Sequence, residues 1–302
     1  MYDIIIVGAG PAGLTAALYA RRANKTVLII EKSTFGGQIT YSPKIENYPG
    51  FVQMSGNEFA DKLLDQVTAL GADIEIDEVI DVYISGIIKK VVAVGGEYEC
   101  KSLIIAAGAR HRHLGIEGEE ELVGDGVSYC AICDGAYYAG KDVGMVGGGN
   151  SALQEAVLLS ETSRKVTIIQ NLPTLTGEAK LCEKVAARPN IEVICNSVVK
   201  SFINDKGFGG VVIFNDATQK EIKIPLDGLF VAIGLVPENK SFKNVIAIDD
   251  CGYAQSGEEC LTKTEGVYVA GDCRSKKIRQ ITTAAADGTV AALAACRYID
   301  SL

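Results

Sequence analysis

The sequence predicts an α/β fold, because a strand, a glycine-rich loop and a helix follow one another twice along the chain. Apolar runs typical of buried strands open the two copies, at residues 2–31 and 141–171, and each run leads into a helical pattern. A strand, a crossover helix and a second strand form a βαβ unit, which predicts a parallel sheet covered by helices. We therefore expect two Rossmann-like dinucleotide-binding domains, the second inserted in the first.

The length of the chain agrees with two domains. Its 302 residues, of which 48% are apolar, can bury two cores of ordinary size. Segments rich in glycine, proline or charge at residues 114–119 and 237–246 are the expected crossings between the domains. We thus expect a first domain at residues 1–113 and 246–302 and an inserted domain at residues 114–245. The expected strands are residues 3–7, 26–30, 102–106, 142–146, 165–169, 228–232 and 266–269.

Charge and hydropathy exclude two classes of partner. The net charge of −9 and the pI near 4.9 give no broad attraction to phosphate backbones or anionic lipids, so neither nucleic acid nor membrane partners are expected. The N-terminal apolar run has no basic segment before it and leads into a glycine loop, which is not the pattern of a secretory signal. No apolar run is long enough to span a membrane. These patterns predict a cytoplasmic protein.

The first glycine loop has the pattern of a dinucleotide site. Gly8, Gly10 and Gly13 belong to a segment that follows the first strand and opens the helix expected at residues 11–22. In such a loop the glycines allow a tight turn, a close approach of the backbone to a pyrophosphate, and close packing of helix on strand. Glu31 ends the next strand, where an acid accepts hydrogen bonds from an adenosine ribose. The pattern predicts a dinucleotide without distinguishing FAD from NAD.

Two of the nine cysteines form a Cys-x-x-Cys pair. Cys130 and Cys133 can bridge if a turn brings their Cα atoms within about 6 Å. The alternatives to a redox disulfide are that the pair forms half of a zinc site or that both cysteines are core thiols. Because no second cysteine pair is present and zinc usually has four ligands, no metal site is expected. The other cysteines are expected to be buried, unreactive thiols: Cys100, Cys182, Cys195, Cys251, Cys260, Cys273 and Cys296.

Ordered motifs along nearly the whole chain give it a resemblance to a known family. The motifs are residues 36–38 (GGQ), 46–50 (ENYPG), 104–109 (IIAAGA), 130–134 (CAICD), 264–272 (TEGVYVAGD) and 279–285 (RQITTAA). With them the chain resembles the low-molecular-weight thioredoxin reductases. The resemblance implies FAD as cofactor, a homodimer, an FAD-binding domain at residues 1–113 and 246–302, and an inserted NADPH-domain-like domain at residues 114–245 with the redox pair.

The resemblance also assigns residues to the flavin site. It places Asp272 on the ribitol, Gln38 and Asn47 beside the flavin, and Gln280 and Ile281 near the isoalloxazine. The whole implied set of cofactor-binding residues is Gly8, Gly10, Pro11, Ala12, Gly13, Glu31, Lys32, Gly37, Gln38, Asn47, Ala107, Gly108, Gly271, Asp272, Arg279, Gln280 and Ile281.

Three catalytic roles follow from the same resemblance. Cys133 is the sulfur on the flavin side, Cys130 attacks the substrate disulfide, and Asp134 protonates the departing thiolate. A general acid at Asp134 requires that burial raise the pKa of its carboxyl. The alternative for Asp134 is an aspartate that caps a helix.

The segment after the second glycine loop departs from the family pattern. Residues 147–152 (GGGNSA) occupy the place of the NADPH site, but the NADPH-dependent members then carry a His-Arg-Arg run that clamps the 2′-phosphate. Residues 170–177 (QNLPTLTG) of this chain contain no cationic side chain, and a dianionic phosphate needs such donors. In this respect the chain resembles the ferredoxin-dependent flavin thioredoxin reductases.

These observations predict a flavin-dependent thioredoxin-disulfide reductase in which electrons pass from reduced ferredoxin to FAD, to the Cys133/Cys130 disulfide and to thioredoxin. An acidic iron–sulfur protein needs a basic landing patch near the flavin. The candidates for that patch, which are otherwise ordinary solvated charges, are Arg110, Arg112, Arg274, Lys276, Lys277 and Arg279. The open alternatives are an NADPH-dependent thioredoxin reductase with an atypical nucleotide site, a dithiol oxidase that uses oxygen, and a non-catalytic flavin redox sensor.

Overall fold

The computed structural model describes residues 1–42, 45–204 and 207–302. The strands are β1 (Tyr2–Val7), β2 (Val27–Glu31), β3 (Asp73–Ile76), β4 (Val79–Ser85), β5 (Ile88–Ala93), β6 (Glu97–Ile105), β7 (Ala109–His111), β8 (Val127–Ser128), β9 (Asp142–Val146), β10 (Lys165–Ile169), β11 (Ile191–Ile194), β12 (Ser197–Ile203), β13 (Gly210–Asn215), β14 (Lys220–Pro225), β15 (Gly228–Val231), β16 (Leu235–Pro237) and β17 (Val267–Val269). The α-helices are α1 (Pro11–Arg22), α2 (Gly56–Ala69), α3 (Glu119–Leu122), α4 (Ala131–Asp134), α5 (Asn150–Ser160), α6 (Ala179–Ala186) and α7 (Ile281–Asp300). The 3-10 helices are Gly37–Tyr41, Gly135–Tyr138, Lys240–Phe242 and Gly271–Cys273. No helix in the described part of the chain is long and apolar enough to cross a membrane.

The chain forms two compact units, Met1–Arg110 with Val236–Leu302 and His111–Leu235. The first unit is built on a seven-stranded sheet of order β3-β2-β1-β6-β5-β4, in which β17 also pairs with β6. The strands β1, β2, β3, β6 and β17 run parallel, whereas β4 and β5 add an antiparallel edge. Alternate residues of β1 enter two different cores, which explains its continuous apolar sequence.

Helices α1 and α7 of the first unit approach each other closely because small residues face each other. A Cβ added at Gly288 of α7 would lie 2.2 Å from the carbonyl oxygen of Ala12 in α1. Alanines of both helices are buried in one core together with Ile4 and Ile6 of β1. This packing holds the N-terminus of α1 against the segment that joins β17 to α7.

The second unit contains a five-stranded parallel sheet of order β11-β10-β9-β15-β8 and an antiparallel sheet of order β12-β13-β14. Side chains of α5 and β9 share a core. The second glycine loop follows the carboxyl end of β9, and the Cys-x-x-Cys pair follows β8. Both features therefore lie just beyond the carboxyl ends of parallel strands, where open α/β sheets bind ligands.

The structure confirms the predicted α/β class with parallel sheets. The strands predicted at residues 142–146 and 165–169 are β9 and β10 with those bounds. The antiparallel strands β4, β5, β12, β13 and β14 were not predicted. In β5 every second residue is buried and the others are half-exposed, so its apolar signal is weaker than that of a strand buried on both faces.

The second crossing between the units lies at residues 235 and 236, before the boundary expected at residues 245 and 246. The side chain of Asn239 donates to the carbonyl oxygens of Gly252 and Cys273 at 2.9 and 2.7 Å. Phe242 and Val245 are buried in a core of the first unit. Polar and charged residues of this segment therefore fold onto the first unit and do not form a linker. The first crossing lies at residues 110 and 111, where 113 and 114 were expected.

Candidate functional site

Contacts require glycine at two positions of the first loop. Gly8 follows β1 with a φ of 103°, and a Cβ there would lie 2.4 Å from the oxygen of Ala106 and 3.3 Å from the nitrogen of Ala107. A Cβ on Gly13 would lie 1.8 Å from the oxygen of Gly8. The chain can therefore turn directly from β1 into α1, which begins at Pro11. The first amide groups of α1 have no partner within the helix, and such an end attracts an anion.

Glu31, the predicted ribose acceptor, braces this loop. Its Oε2 accepts a hydrogen bond from the backbone N–H of Ala9 at 2.8 Å, and its Oε1 accepts one from that of Ser33 at 3.0 Å. The residue is buried at the end of β2. Its contact with a ribose stays a prediction. The neighbouring Lys32 forms an ion pair with Glu238 at 2.7 Å.

Segments that are distant in the sequence meet at the N-terminus of α1. A Cβ on Gly37 would lie 3.6 Å from the Cα of Gly10, and a Cβ on Gly271 would lie 2.8 Å from the Cβ of Ala12. Gly108, with a φ of 70°, ends the segment that leaves β6 beside this loop. The structure thus brings together predicted cofactor residues that follow β1, β2, β6 and β17.

A hydrogen bond joins two further segments that are predicted to lie beside a flavin. The Nδ2 of Asn47 donates to the Oε1 of Gln280 at 3.2 Å. Gln280 caps α7, and Ile281, its first residue, packs against a cluster that contains Phe59. Gln38 lies in the 3-10 helix Gly37–Tyr41. The contact between Asn47 and Gln280 orients the start of α7.

Two buried polar atoms of the predicted site have no partner within the described residues. Asp272 lies three residues after the end of β17, in the 3-10 helix Gly271–Cys273. Its Oδ1 is unpaired, and burial raises the pKa of its carboxyl. The Nε of Arg279 is also unpaired, although its guanidinium lies 4.3 Å from the ring centre of Tyr253. Buried polar groups are nearly always paired in folded proteins. The unpaired acceptor and donor therefore fit a bound group that carries hydroxyls and phosphates.

A buried ion cluster supports the segment before α7, and the sequence reasoning missed its central residue. Asp287 of α7 accepts two hydrogen bonds from the guanidinium of Arg274, both at 2.8 Å, and one from Lys276 at 2.9 Å. It also accepts one from the backbone N–H of Gly271 at 3.0 Å. The available signal was an aspartate with alanines on both sides of it in the helical pattern at residues 284–295. The cluster links α7 to the segment that carries Asp272.

This cluster corrects the expected basic landing patch. Arg274 is 4% exposed and the side chain of Lys276 is 7% exposed, so neither presents its charge on a surface. Both neutralise Asp287 because a buried carboxylate requires cationic partners. Arg110 is exposed but forms an ion pair with Glu238 at 2.9 Å. Arg112 and Lys277 remain exposed.

The Cys-x-x-Cys pair forms a disulfide in the second unit. The Cα atoms of Cys130 and Cys133 are 5.3 Å apart. Cys130 is the N-cap of α4, and its Sγ accepts a hydrogen bond from the backbone N–H of Cys133 at 3.2 Å. Both residues are half-buried. A hydrogen bond to the sulfur stabilises a thiolate once the bond is reduced.

Carboxyl groups with raised pKa lie at both ends of α4. Burial raises the pKa of Asp134, which accepts a hydrogen bond from the hydroxyl of Ser128 at 2.6 Å. Burial also raises the pKa of Glu155 to about 6, and this α5 carboxylate accepts a hydrogen bond from the N–H of Ala131 at 3.2 Å. Asp134 therefore meets the condition for a general acid. Sequence reasoning missed Ser128 and Glu155; an acid among the apolar residues of α5 was a signal for the second only.

The remaining cysteines differ in exposure. Four of them, Cys100, Cys260, Cys273 and Cys296, are buried free thiols, as expected. Cys182 and Cys195 are half-buried, and Cys251 is exposed, in contrast to the expectation. Cys251 lies in a turn in which its backbone N–H donates to Asp249, and turns lie at the surface. Within residues 1–42, 45–204 and 207–302, no three His, Cys, Asp or Glu side chains group as metal ligands.

The second glycine loop repeats the geometry of the first. Gly147 follows β9 with a φ of 127°, and a Cβ there would lie 2.5 Å from the oxygen of Ala232. The segment after β10 folds onto this loop, where the N–H groups of residues 176 and 177 donate to the oxygen of Gly148 at 2.8 and 3.0 Å. The loop therefore keeps its shape, while the segment beside it has no cationic side chain between residues 168 and 179.

Known proteins match the chain over its whole length. Residues 2–288 match the family described as pyridine nucleotide-disulphide oxidoreductase. The thioredoxin reductase of Bacillus subtilis (strain 168) is 40% identical over 307 residues, which cover 100% of this chain and 96% of that protein. The crystal structure of thioredoxin reductase from Streptococcus pyogenes MGAS5005 has a TM-score of 0.95 at 38% identity and covers 100% of this chain and 99% of that one. A ferredoxin-flavin thioredoxin reductase from Clostridium acetobutylicum has a TM-score of 0.55 at 28% identity and covers 100% and 99%.

Proposed function

Since this chain belongs to the pyridine nucleotide-disulphide oxidoreductase family, and within it to the thioredoxin reductases, we propose that it reduces the disulfide of a thioredoxin. One observation carries the proposal. The Cys130–Cys133 disulfide lies at the start of α4, next to Asp134, a carboxyl whose pKa is raised by burial. A redox pair and an acid in one turn are the groups that dithiol–disulfide exchange requires.

The cofactor of this family is FAD, and the first unit fits it. The residues proposed to hold it are those that meet around α1, together with Asp272 and Arg279, whose buried polar atoms lack partners within the described residues. When bound, FAD supplies the electron pair that reduces the Cys130–Cys133 disulfide. The chain contributes the anion-binding end of α1, the brace at Glu31 and the buried acceptor at Asp272.

Replacing Asp272 by alanine should weaken FAD binding by roughly tenfold to a hundredfold, because the variant removes a buried acceptor that hydroxyls of the cofactor would satisfy. Fluorescence titration of the apoprotein with FAD measures the dissociation constant. The variant Asp250→Ala, which changes an exposed aspartate of the same unit, is the control and should bind FAD as the unchanged chain does. Equal affinity of the Asp272 variant and the control contradicts the assignment.

Exchange with thioredoxin uses the reduced pair in two steps. The Cys130 thiolate attacks one sulfur of the substrate disulfide, a mixed disulfide forms, and the departing thiolate takes the proton of Asp134. The Cys133 thiolate then attacks the Sγ of Cys130, the second substrate sulfur leaves and takes a proton, and the enzyme disulfide is restored. Two electrons and two protons pass to the substrate. The N–H of Cys133 stabilises the attacking sulfur of Cys130.

Reduced ferredoxin is the proposed electron donor. The segment that follows β10 contains no cation to bind a 2′-phosphate, and the matched structures include a ferredoxin-flavin thioredoxin reductase. NADPH is the second candidate, which the intact geometry of the second glycine loop favours. The homodimer is also a proposal, and it depends on the family resemblance alone. The cytoplasmic location is a proposal that depends on the charge and hydropathy of the sequence.

Anaerobic stopped-flow mixing tests both function and donor. The oxidised, FAD-loaded protein is mixed separately with reduced ferredoxin, NADPH and NADH, and oxidised thioredoxin is then added. We expect fast bleaching of the flavin absorption with ferredoxin and its return with thioredoxin. Fast bleaching by NADPH alone contradicts the ferredoxin proposal and leaves the thioredoxin reductase proposal standing. Oxygen consumption with a small dithiol, without thioredoxin, indicates a dithiol oxidase. Failure to turn over with thioredoxin and any of the three donors indicates a redox sensor.

A further inference from the structure

A buried serine connects the two ends of the turn that carries the disulfide. The hydroxyl of Ser128 donates to the Oδ2 of Asp134 at 2.6 Å and accepts from the backbone N–H of Cys130 at 3.1 Å. Ser128 is 4% exposed. One hydroxyl thus contacts the residue that caps α4 and the residue that ends it.

The sheet holds Ser128 in place. Ser128 ends β8, which pairs in parallel with β15, where Phe230 is its register partner. Phe230 is fully buried, so this part of the backbone cannot move without disturbing a core. A hydroxyl on a fixed strand end holds a partner in a defined position, and a short hydrogen bond to a carboxylate is stronger than one between neutral groups.

We propose that Ser128 is a positioning residue that aligns Asp134 with the Cys130 turn and stabilises the ionised form of the Asp134 carboxyl. The inference rests on the proposed function, because it concerns the acid that serves thiol–disulfide exchange. In that exchange the carboxyl must release a proton to a departing thiolate and regain one from a thiol. Burial disfavours the ionised carboxylate and the Ser128 hydroxyl favours it, so the two together keep both protonation states accessible.

Burial shifts the pKa of two further side chains near this turn, Tyr138 and Glu155. Burial raises the pKa of Tyr138, in the 3-10 helix after α4, to about 12, so this phenol stays protonated at neutral pH. Burial raises the pKa of Glu155 to about 6, so this carboxyl titrates in the range where exchange is measured. The test must therefore separate Asp134 from Glu155, and a Glu155→Gln background does so.

The test follows the pH dependence of exchange by the pre-reduced pair. The FAD-loaded protein in a Cys251→Ser background, which removes the exposed free thiol, is reduced with excess dithiol and desalted without oxygen. Its reaction with 5,5′-dithiobis(2-nitrobenzoate), and separately with oxidised thioredoxin, is followed by stopped flow across pH. One limb of the profile of rate against pH should report the ionisation of Asp134. Loss of the hydroxyl in Ser128→Ala should move this Asp134 limb to higher pH by about one unit, because a hydrogen-bond donor to the carboxylate is lost. The shift should persist with Glu155→Gln.

Matched variants separate this role from a structural one. Ser128→Thr keeps a hydroxyl and should leave the limb in place, whereas Ser128→Val has the shape of threonine without the hydroxyl and should shift it as alanine does. This pair keeps the test available if the alanine variant folds poorly. Ser160→Ala removes another buried hydroxyl of the same unit, which donates to the oxygen of Val157, and should change nothing.

The outcomes are distinct. A shift with alanine and valine, absent with threonine and Ser160→Ala, supports the inference. A rate that falls equally at every pH, with no shift, overturns it and leaves Ser128 a purely structural residue. If the shift is found with the aromatic disulfide and thioredoxin is not reduced, the proposed function fails and the role of Ser128 stands. If the pre-reduced pair reacts with neither disulfide, the proposed function and the role of Ser128 are both overturned.

Discussion

Replacing Cys130 or Cys133 by serine is expected to lower turnover with thioredoxin by roughly a thousandfold or more, since residues that act as one nucleophilic unit each cost nearly the full effect. Cys130 is the nucleophile of the first exchange step, and Cys133 is the nucleophile of the second. The disulfide closes a loop of only a few residues, so its loss should have a small effect on unfolding. Steady-state rates with oxidised thioredoxin, together with thermal unfolding of each variant, measure both quantities.

The two serine variants also distinguish the roles of the sulfurs. In a Cys251→Ser background, Cys133→Ser leaves Cys130 free, and reaction with an aromatic disulfide should release one equivalent of thiolate and leave a stable adduct on Cys130. Because Cys130 is assigned to the substrate, Cys130→Ser should form its adduct on Cys133 more slowly. The Cys251→Ser protein alone should turn over normally, since this exposed thiol lies in a turn outside the pair. Faster modification of Cys133 contradicts the assignment.

Replacing Asp287 by asparagine is expected to lower the free energy of unfolding by about 3–5 kcal/mol, the usual cost of leaving a buried charge without its partner. The variant leaves Arg274 and Lys276 buried without a counter-ion and weakens the bond to the N–H of Gly271. Because Gly271 precedes Asp272, FAD binding should weaken as well. Urea unfolding of the apoprotein and FAD titration measure the two effects.

A surface ion pair is the control for Asp287. Lys165 and Glu192 lie 2.6 Å apart with side chains that are about half exposed, and Glu192→Gln should change stability by about 1 kcal/mol or less. Burial acts to raise the pKa of Asp287, but the bonds with Arg274 and Lys276 outweigh it and hold that pKa below its ordinary value of 3.8. The stabilisation is therefore complete above pH 3.8 and is lost as the pH falls below it. Asp287→Asn should remove that part of the acid dependence, and an unchanged dependence contradicts the role of the cluster.

Local patterns were sufficient for the parts of the fold that are encoded locally. The strands β9 and β10 were predicted with their bounds because strands buried on both faces are continuous apolar runs. The two glycine loops were predicted because a tight turn between strand and helix has a fixed spacing. The antiparallel strands and the crossing at residues 235 and 236 were not, because half-exposed strands carry charge and the charged segment at residues 236–245 folds onto a core that is distant in sequence.

The sequence by itself determined the α/β class, the two glycine loops, the cysteine pair and, through ordered motifs, the family and its FAD. Tertiary structure decided which charged side chains lie at the surface and which are buried. Arg274 and Lys276 look like surface cations in the sequence, but the fold buries them against Asp287, which comes from a different element. It also placed the Ser128 hydroxyl on Asp134. Burial and pairing depend on residues that the fold brings together from separate segments. A local sequence pattern therefore does not identify these partners.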